Sequence, residues 1–413
     1  MAAPSALPPE SPKPSGWWLN STVLGIGLAS LLSDWSHETA TAVLPAFLAS
    51  MGVAALWIGL IEGVADGLSS LGKLASGHWT DRLPRRKPVM LLGYAITALG
   101  TASFGFATAA WHILLARAGA WLGRGVRTPV RKAMLAAAVS KEAYGRAFGF
   151  ERMMDTLGAI VGPLSAYFLL RAFGHDFQPV FFCTLLPGLG AVLAVAFLVR
   201  EKTRVKVKSV SFRDGLRGLP KRYQQFLLAV SLFGAGDCAH TLLILLAMQW
   251  LTPIYGAATA ASAAVGLYIL HNVLYAGFAY VAGWLADQYS KPMLLGASYA
   301  LAAVMAVMIM LLPAGLWSLA GIFICGGIHV AMNETLEDSF CAELVDESHH
   351  GMAFGVLATV NGVGDFISSV AVGALWSAFG VRVAFAYSLV LFAAGAVLVA
   401  RLVRGADQPL EKK

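Results

Sequence analysis

The sequence predicts an all-α integral membrane protein, with twelve transmembrane helices in two pseudo-symmetric six-helix halves and both termini cytoplasmic. Three observations predict it. The 413 residues are 58% hydrophobic and only 13% charged, about half the charged fraction of a soluble chain, and the mean hydropathy is +0.69. Apolar runs long enough to cross a bilayer recur along the whole length. Short motifs also return, in the same order, about two hundred residues later.

The apolar runs fall at roughly 18–49, 54–79, 88–108, 111–135, 146–172, 177–199, 224–251, 260–286, 292–312, 316–344, 351–378 and 383–403, each close to or above the ~20 residues that span the hydrocarbon core. They divide into halves at 17–199 and 224–404, joined by a linker at 200–223. Residues 1–16, rich in Pro and Ser, lack a signal-peptide pattern and are expected to be a disordered cytoplasmic tail, as are residues 405–413.

The formal charge of +7 could point to nucleic acid, but the basic residues cluster in short turns between apolar runs. That is the positive-inside pattern. Arg82, Arg85, Arg86 and Lys87 follow the second run, Arg131, Lys132, Lys141 and Arg146 flank the turn after the fourth, and the 200–223 linker is basic throughout. The opposite turns offer little beyond Arg171 and Arg382. The expected setting is a bacterial inner membrane, with the bilayer as surroundings, no nucleic-acid partner and a monomeric chain. The four Cys show no paired spacing and are expected as free thiols. No cofactor or nucleotide-binding motif is present, so ATP drive is not expected.

The repeat is legible in pieces. Gly77-His-Trp-Thr-Asp81 returns as Gly283-Trp-Leu-Ala-Asp287, a shift of 206. At that shift Gly145-Arg-Ala-Phe-Gly149 returns as Gly351-Met-Ala-Phe-Gly355, Ala172-Phe-Gly174 as Ala378-Phe-Gly380, and Trp111 as Trp317. Asp34 and His37 return as Asp237 and His240 at a shift of 203. In such duplicated folds the site lies near the midplane, between the repeats.

Three stretches carry a family resemblance. Gly77-x-x-x-Asp81-Arg82-x-x-Arg85-Arg86-Lys87 resembles the signature loop of the major facilitator superfamily, with Pro84 at the usual glycine. Arg117 resembles the second motif, and Gly158-x-x-x-Gly162-Pro163 the antiporter motif in shortened form. Within the superfamily the chain is similar to a prokaryotic branch with Ser-Asp-x-Ser-x-Glu in the first helix, here Ser33-Asp34-Trp-Ser36-His37-Glu38. It also carries that branch's Gly59-Leu-Ile-Glu62-Gly63, Gly123-Arg124-Gly125-Val-Arg127-Thr128 and Phe148-Gly-Phe-Glu151-Arg152-Met-Met-Asp155. It departs at Thr39, Ala120-Trp121, Arg124 and Glu151, which bears on substrate and not on fold. The resemblance implies a cytoplasmic latch in which Asp81 and Arg82, repeated in Asp287, hold the halves together; the plain alternative is a positive-inside anchor. Gating residues are accordingly Gly77, Asp81, Arg82, Arg85, Arg86, Gly158, Gly162, Pro163 and Asp287.

The candidate substrate and coupling residues are polar groups in apolar runs, where charge is costly and faces a bundle interior or wet cavity. Asp34, His37 and Glu38 share one helical face at i, i+3 and i+4. Glu62 and Asp66, and Glu151 and Asp155, are paired at i, i+4, with Arg152 between the latter two. Burial disfavours a carboxylate and a nearby cation favours it; a carboxyl between the two can exchange protons, or it can be a static packing pair. Arg117, Arg124 and Arg131 follow a seven-residue spacing, either pairing with acids or meeting an anionic substrate. Their counterpart row, Glu334, Glu337, Asp338 and Glu343, could pair with them across the halves as a second gate or lie solvated. Asp155 aligns with Asn361 and Asp66 with Asn272, so charge is concentrated in the first half. Gly63-x-x-x-Gly67 and Gly158-x-x-x-Gly162 are expected to allow close helix approach.

These residues predict a proton-coupled secondary transporter of a small solute or ion, and the resemblance of Gly158-x-x-x-Gly162-Pro163 to the antiporter motif implies efflux rather than uptake. A divalent transition-metal transporter using Asp34, His37, Asp237 and His240 is the alternative. A non-transporting receptor or assembly factor is another. A membrane enzyme is not expected, for no nucleophile or metal-hydrolase motif is present.

Overall fold

The computed structural model describes residues 17–53, 55–201, 218–237 and 240–404; both expected tails and most of the basic linker lie outside the described residues. Among the described residues there are fourteen α-helices: α1 (Ser21–Ser50), α2 (Ala55–Thr80), α3 (Lys87–Ala102), α4 (Ala110–Ala137), α5 (Tyr144–Ala172), α6 (Phe177–Cys183), α7 (Leu185–Leu198), α8 (Lys221–Gly234), α9 (His240–Tyr255), α10 (Ala257–Ala286), α11 (Lys291–Leu311), α12 (Leu316–Leu344), α13 (His350–Phe379) and α14 (Val381–Arg404). No strand occurs among the described residues.

Among the described residues, eight helical stretches are long and apolar enough to cross a membrane. They include α5, α10, α11, α12, α13 and α14, and α6 with α7 taken as one. At 1.5 Å per residue, α1, α2 and α4 are also long enough, at 30, 26 and 28 residues, but they carry the charges described below. Phe197, Leu186 and Trp317 are at least 78% exposed, an outer face that suits lipid. The repeated pair Trp111 and Trp317 stands exposed at the starts of α4 and α12, where an indole sits well at a membrane interface.

Packing repeats between the two sets. In the first, α1 packs on α5 and α7, α2 on α4, and α3 on α7; in the second, α8 packs on α13 and α14, α10 on α12, and α11 on α14. The sets meet chiefly through α2 with α13 and α5 with α10, and α4 also meets α13 and α5 meets α12. The repeated Gly174 and Gly380 end α5 and α13 with φ of 62° and 87°, a left-handed geometry that glycine takes without a Cβ clash.

The seventh run is not one helix. It breaks at Asp237, between α8 and α9, so the second Asp-x-x-His does not share a helical face as the first does. The break frees backbone carbonyls, which cannot stay unpaired in an apolar interior. Tyr387 donates to the Ala235 carbonyl at 2.9 Å and Ser368 to the Asp237 carbonyl at 2.7 Å. The glycine expectation also divides. Gly158 and Gly162 press on α1, where a Cβ would meet Leu31 O at 2.3 Å and Glu38 Cβ at 2.5 Å; Gly63 and Gly67 have nothing within 4 Å and make no helix contact.

Candidate functional site

The two sets of helices are locked together twice, by the same chemistry. At the end of α2, Asp81 accepts from the backbone N–H groups of Gly351 and Met352, both at 2.8 Å. At the end of α10, Asp287 accepts from the N–H groups of Gly145 at 2.7 Å and Arg146 at 3.1 Å. Each carboxylate therefore caps the first turn of a helix in the opposite set, where orphan donors and the helix dipole favour negative charge. Burial is the main influence on both acids and raises them above the usual carboxylate value, against the lowering effect of these N–H groups and a neighbouring arginine. That arginine is Arg86 for Asp81, at 3.1 Å, and Arg146 for Asp287, at 2.6 Å. Arg86 also donates from its buried side chain to the Thr80 carbonyl, and Arg82, the arginine expected beside Asp81, is half-buried in the same turn. Arg85 is exposed in the same turn.

Glycine makes the approach possible. A Cβ on Gly77 would lie 2.6 Å from Gly351 O, and one on Gly145 would lie 2.1 Å from Gly283 O. Gly149 and Gly355 meet the same partners one turn on. The motifs that repeat at 206 residues are thus the two halves of one interlock.

Deeper lies a charged core. Arg131 reaches Glu151 at 3.0 Å, Asp155 at 3.4 Å and the Ser30 hydroxyl at 2.7 Å. Arg152 reaches Glu334 at 2.9 Å and Asp338 at 3.5 Å on α12, and Lys132 reaches Asp338 at 2.6 Å. The acids Glu334 and Asp338 on α12 thus meet Arg152 on α5 and Lys132 on α4 across the sets, whereas Arg117, Arg124 and Arg131 pair with acids of their own set. Arg117 binds Glu62 at 2.7 Å and lies 4.0 Å from the Trp121 ring centroid; Trp121 Nε1 donates to Asp66 at 3.0 Å. Arg124 reaches Asp34 at 3.4 Å, and its Nη1 lies 2.8 Å from His37 Nε2. Glu38 closes on His37 at 3.2 Å. Asn361 donates to Glu337 at 2.7 Å. The arginines at 117, 124 and 131 are paired with acids and line none of the cavities described here.

A cavity of about 150 Å³ opens between the sets. Asp34, Asp155 and Thr156 line one side; His240, Tyr268, His271, Asn272 and Tyr275 line the other. Asp34 Oδ1 is buried without a hydrogen-bond partner. The wall carries carboxylates, imidazoles and phenols and no Lys or Arg. Among the described residues, no group of three or more His, Cys, Asp or Glu could hold a metal ion. Asp34 and His37 are engaged with Arg124, Asp237 lies 3.9 Å from His329, and His240 packs on His271.

His271 and His329 were missed by the sequence reading. Each is a single histidine in an apolar run, with no partner in the chain nearby to mark it. Glu334, Glu337 and Asp338 were visible only as a helix end, while Pro163 falls inside α5, one residue past the glycines that seat α1.

Two interlocked sets of membrane helices around a polar central cavity define a non-enzymatic transporter. A model of the Major Facilitator Superfamily matches residues 26–251 and again 226–413, and the chain belongs to that family. It is 26% identical to an uncharacterised MFS-type transporter of Methanocaldococcus jannaschii over 373 residues, 90% of this chain and 92% of that one. It is 33% identical to the multidrug resistance protein MdtH of Cronobacter sakazakii over 153 residues, 36% of this chain and 35% of that one. Among solved structures, the transporter FucP in its outward conformation gives a TM-score of 0.75 at 16% identity, covering 92% of this chain and 99% of that one. The human organic anion transporter MFSD10 gives 0.74, also at 16% identity and over the same shares.

Proposed function

We propose that this chain is a secondary transporter that carries a small solute across the cytoplasmic membrane by alternating access, with proton coupling and outward export. The observation that carries it is the doubled latch: Asp81 on Gly351 and Met352, Asp287 on Gly145 and Arg146. Its contacts are a capping carboxylate and apposed glycines, which part without breaking either bundle. With twelve crossings and basic loops inside, the latch closes the cytoplasmic face. Asp34 and Asp155, buried and in the cavity wall, are the coupling carboxyls; Arg124 and Arg131 are the cations that exchange with the proton. The similarity to MdtH supports export. Cavity chemistry without a free cation favours a neutral or cationic solute over an anion.

The test uses proteoliposomes and a panel of neutral and cationic solutes preselected by thermal stabilisation of the purified protein. Flux should follow an imposed pH gradient and stop when the gradient is collapsed, and Asp34→Asn should remove the dependence. Flux indifferent to the gradient overturns proton coupling. Stabilising solutes that never cross would point to a receptor.

A further inference from the structure

We propose that a second, smaller cavity, inside the second set of helices, is a proton-relay site in which one water joins His271 to His329 and Asp237. The proposal deepens the proton-coupled reading above and rests on it. The cavity is about 20 Å³, bordered by Asp237, His271, Met305, Gly326 and His329, enough for a single water.

Both imidazoles are almost fully buried, at 2% and 1% exposure. His271 Nδ1 and His329 Nε2 each lack a hydrogen-bond partner. The tautomer of His329 follows from its other nitrogen. Nδ1 lies 2.9 Å from the Ser298 carbonyl, which can only accept, so Nδ1 carries the hydrogen and Nε2 is the atom that exchanges a proton. Nε2 faces Asp237 Oδ2 at 3.9 Å. That is too long for a direct hydrogen bond and suits an intervening water. His271 Nδ1 looks into the same space: a Cβ on Gly326 would lie 3.2 Å from it and 3.3 Å from Met305 Sδ.

His240 and His271 border both cavities, with ring centroids 4.8 Å apart. They connect the relay to the chamber that holds Asp34 and Asp155. The charged or titratable groups around the relay are Asp237 at the α8–α9 break, His240 on α9, His271 on α10 with Tyr268 stacked on it, His329 on α12 and, acting on Asp237, Asp365 on α13 and Tyr299 on α11. The neighbouring faces of α11 and α14 supply Ser298, Met305, Phe385 and Phe392 and no charge.

In the forward step a His271 imidazolium gives its Nδ1 proton to the water, and the water gives one of its own to His329 Nε2. One N–H bond breaks, one forms, and the water is regenerated. The new imidazolium faces the Asp237 carboxylate. The reverse step returns the proton to the central chamber.

The test is a pH titration by NMR of the full chain in lipid nanodiscs, with ring-¹⁵N histidine, for the native protein, His271→Gln and Gly326→Ala. Coupled groups titrate in steps that belong to the pair. Nε2 of His329 should therefore titrate in step with His271, and its midpoint should move by about half a pH unit or more in His271→Gln. Gly326→Ala, whose methyl takes the water's place, should keep both imidazoles and uncouple them; it carries the test alone if His271→Gln does not fold. A His329 curve unchanged in both variants, or titration at Nδ1, overturns the relay. The readout needs no transported solute, so failure of the relay and failure of the transport reading are separable.

Discussion

Lys132 Nζ and Asp338 Oδ1 lie 2.6 Å apart and 206 positions apart in the chain, the same shift that relates Asp81 to Asp287 and Gly145 to Gly351. Each therefore occupies the other's place in the opposite set, and they meet where the repeats meet themselves. At such a point two identical residues would set like charges together. Here the two residues carry opposite charge and form a buried pair, with Lys132 9% and Asp338 4% exposed.

That pairing predicts a charge-swap result. Lys132→Met leaves Asp338 the longer contact to Arg152, at 3.5 Å, so it should lower stability by about 1–3 kcal/mol, less than the ~3–5 kcal/mol of a fully orphaned buried charge. Lys132→Asp combined with Asp338→Lys should recover much of the loss, read from unfolding in mixed micelles. No recovery would mean that Arg152, and not Lys132, sets the charge of this position.

The latch carboxyls predict a pH response. Burial raises Asp81 from its ordinary 3.8, and Asp287 likewise, when the latch is closed. Opening returns each to water and toward the ordinary value, so the closed state binds protons more tightly. Closure is thus favoured at low pH and weakens as pH rises through the raised values. Spin labels on Arg85→Cys and Lys221→Cys should report a closed fraction that falls with rising pH in a window above 3.8. In Asp81→Asn and Asp287→Asn together, which keep an acceptor for the N–H groups, the dependence should vanish. A closed fraction that rises with pH would contradict the assignment.

The glycines predict a steric result. Alanine at Gly145 would place a methyl 2.1 Å from Gly283 O, a backbone atom of the opposite set that cannot turn aside. The two sets should then fail to close while each still folds. Gly145→Ala should show the open distance in the same spin-label pair at all pH values and abolish flux. Gly63→Ala, with nothing within 4 Å, should change stability by no more than about 1 kcal/mol, and in the favourable direction. Equal effects of the two would remove the interlock from the account.

Much of this was legible before any coordinates. Asp81, Gly77, Gly145 and their repeats stood out because a contact between pseudo-equivalent elements constrains both copies at once. The acids at 34, 38, 62, 151 and 155 stood out because charge is rare in apolar runs. What hid was geometry without a local marker. The break at Asp237 has no proline to announce it, and it depends on Tyr387 and Ser368 far along the chain to satisfy its carbonyls. His271 and His329 look like isolated polar residues until α10 and α12 bring them together.

Arg131 gives the sharpest energetic prediction, because two buried acids depend on it. Glu151 is 1% exposed and Asp155 8%, and among the described residues the other hydrogen-bond partner of Glu151 is the Ser30 hydroxyl, at 2.7 Å. In Arg131→Met the hydroxyl cannot neutralise Glu151, whereas Asp155 keeps Arg152 at 3.5 Å. The loss should therefore come from Glu151 and amount to roughly 3–5 kcal/mol. Adding Glu151→Gln removes the orphaned charge and keeps an acceptor for Ser30, so the double variant should be more stable than the single one. The non-additivity, measured by unfolding of both single variants and the double, should be about 1–3 kcal/mol. If the two effects simply add, Glu151 is not held by Arg131, and the charged core is organised around Asp155 instead.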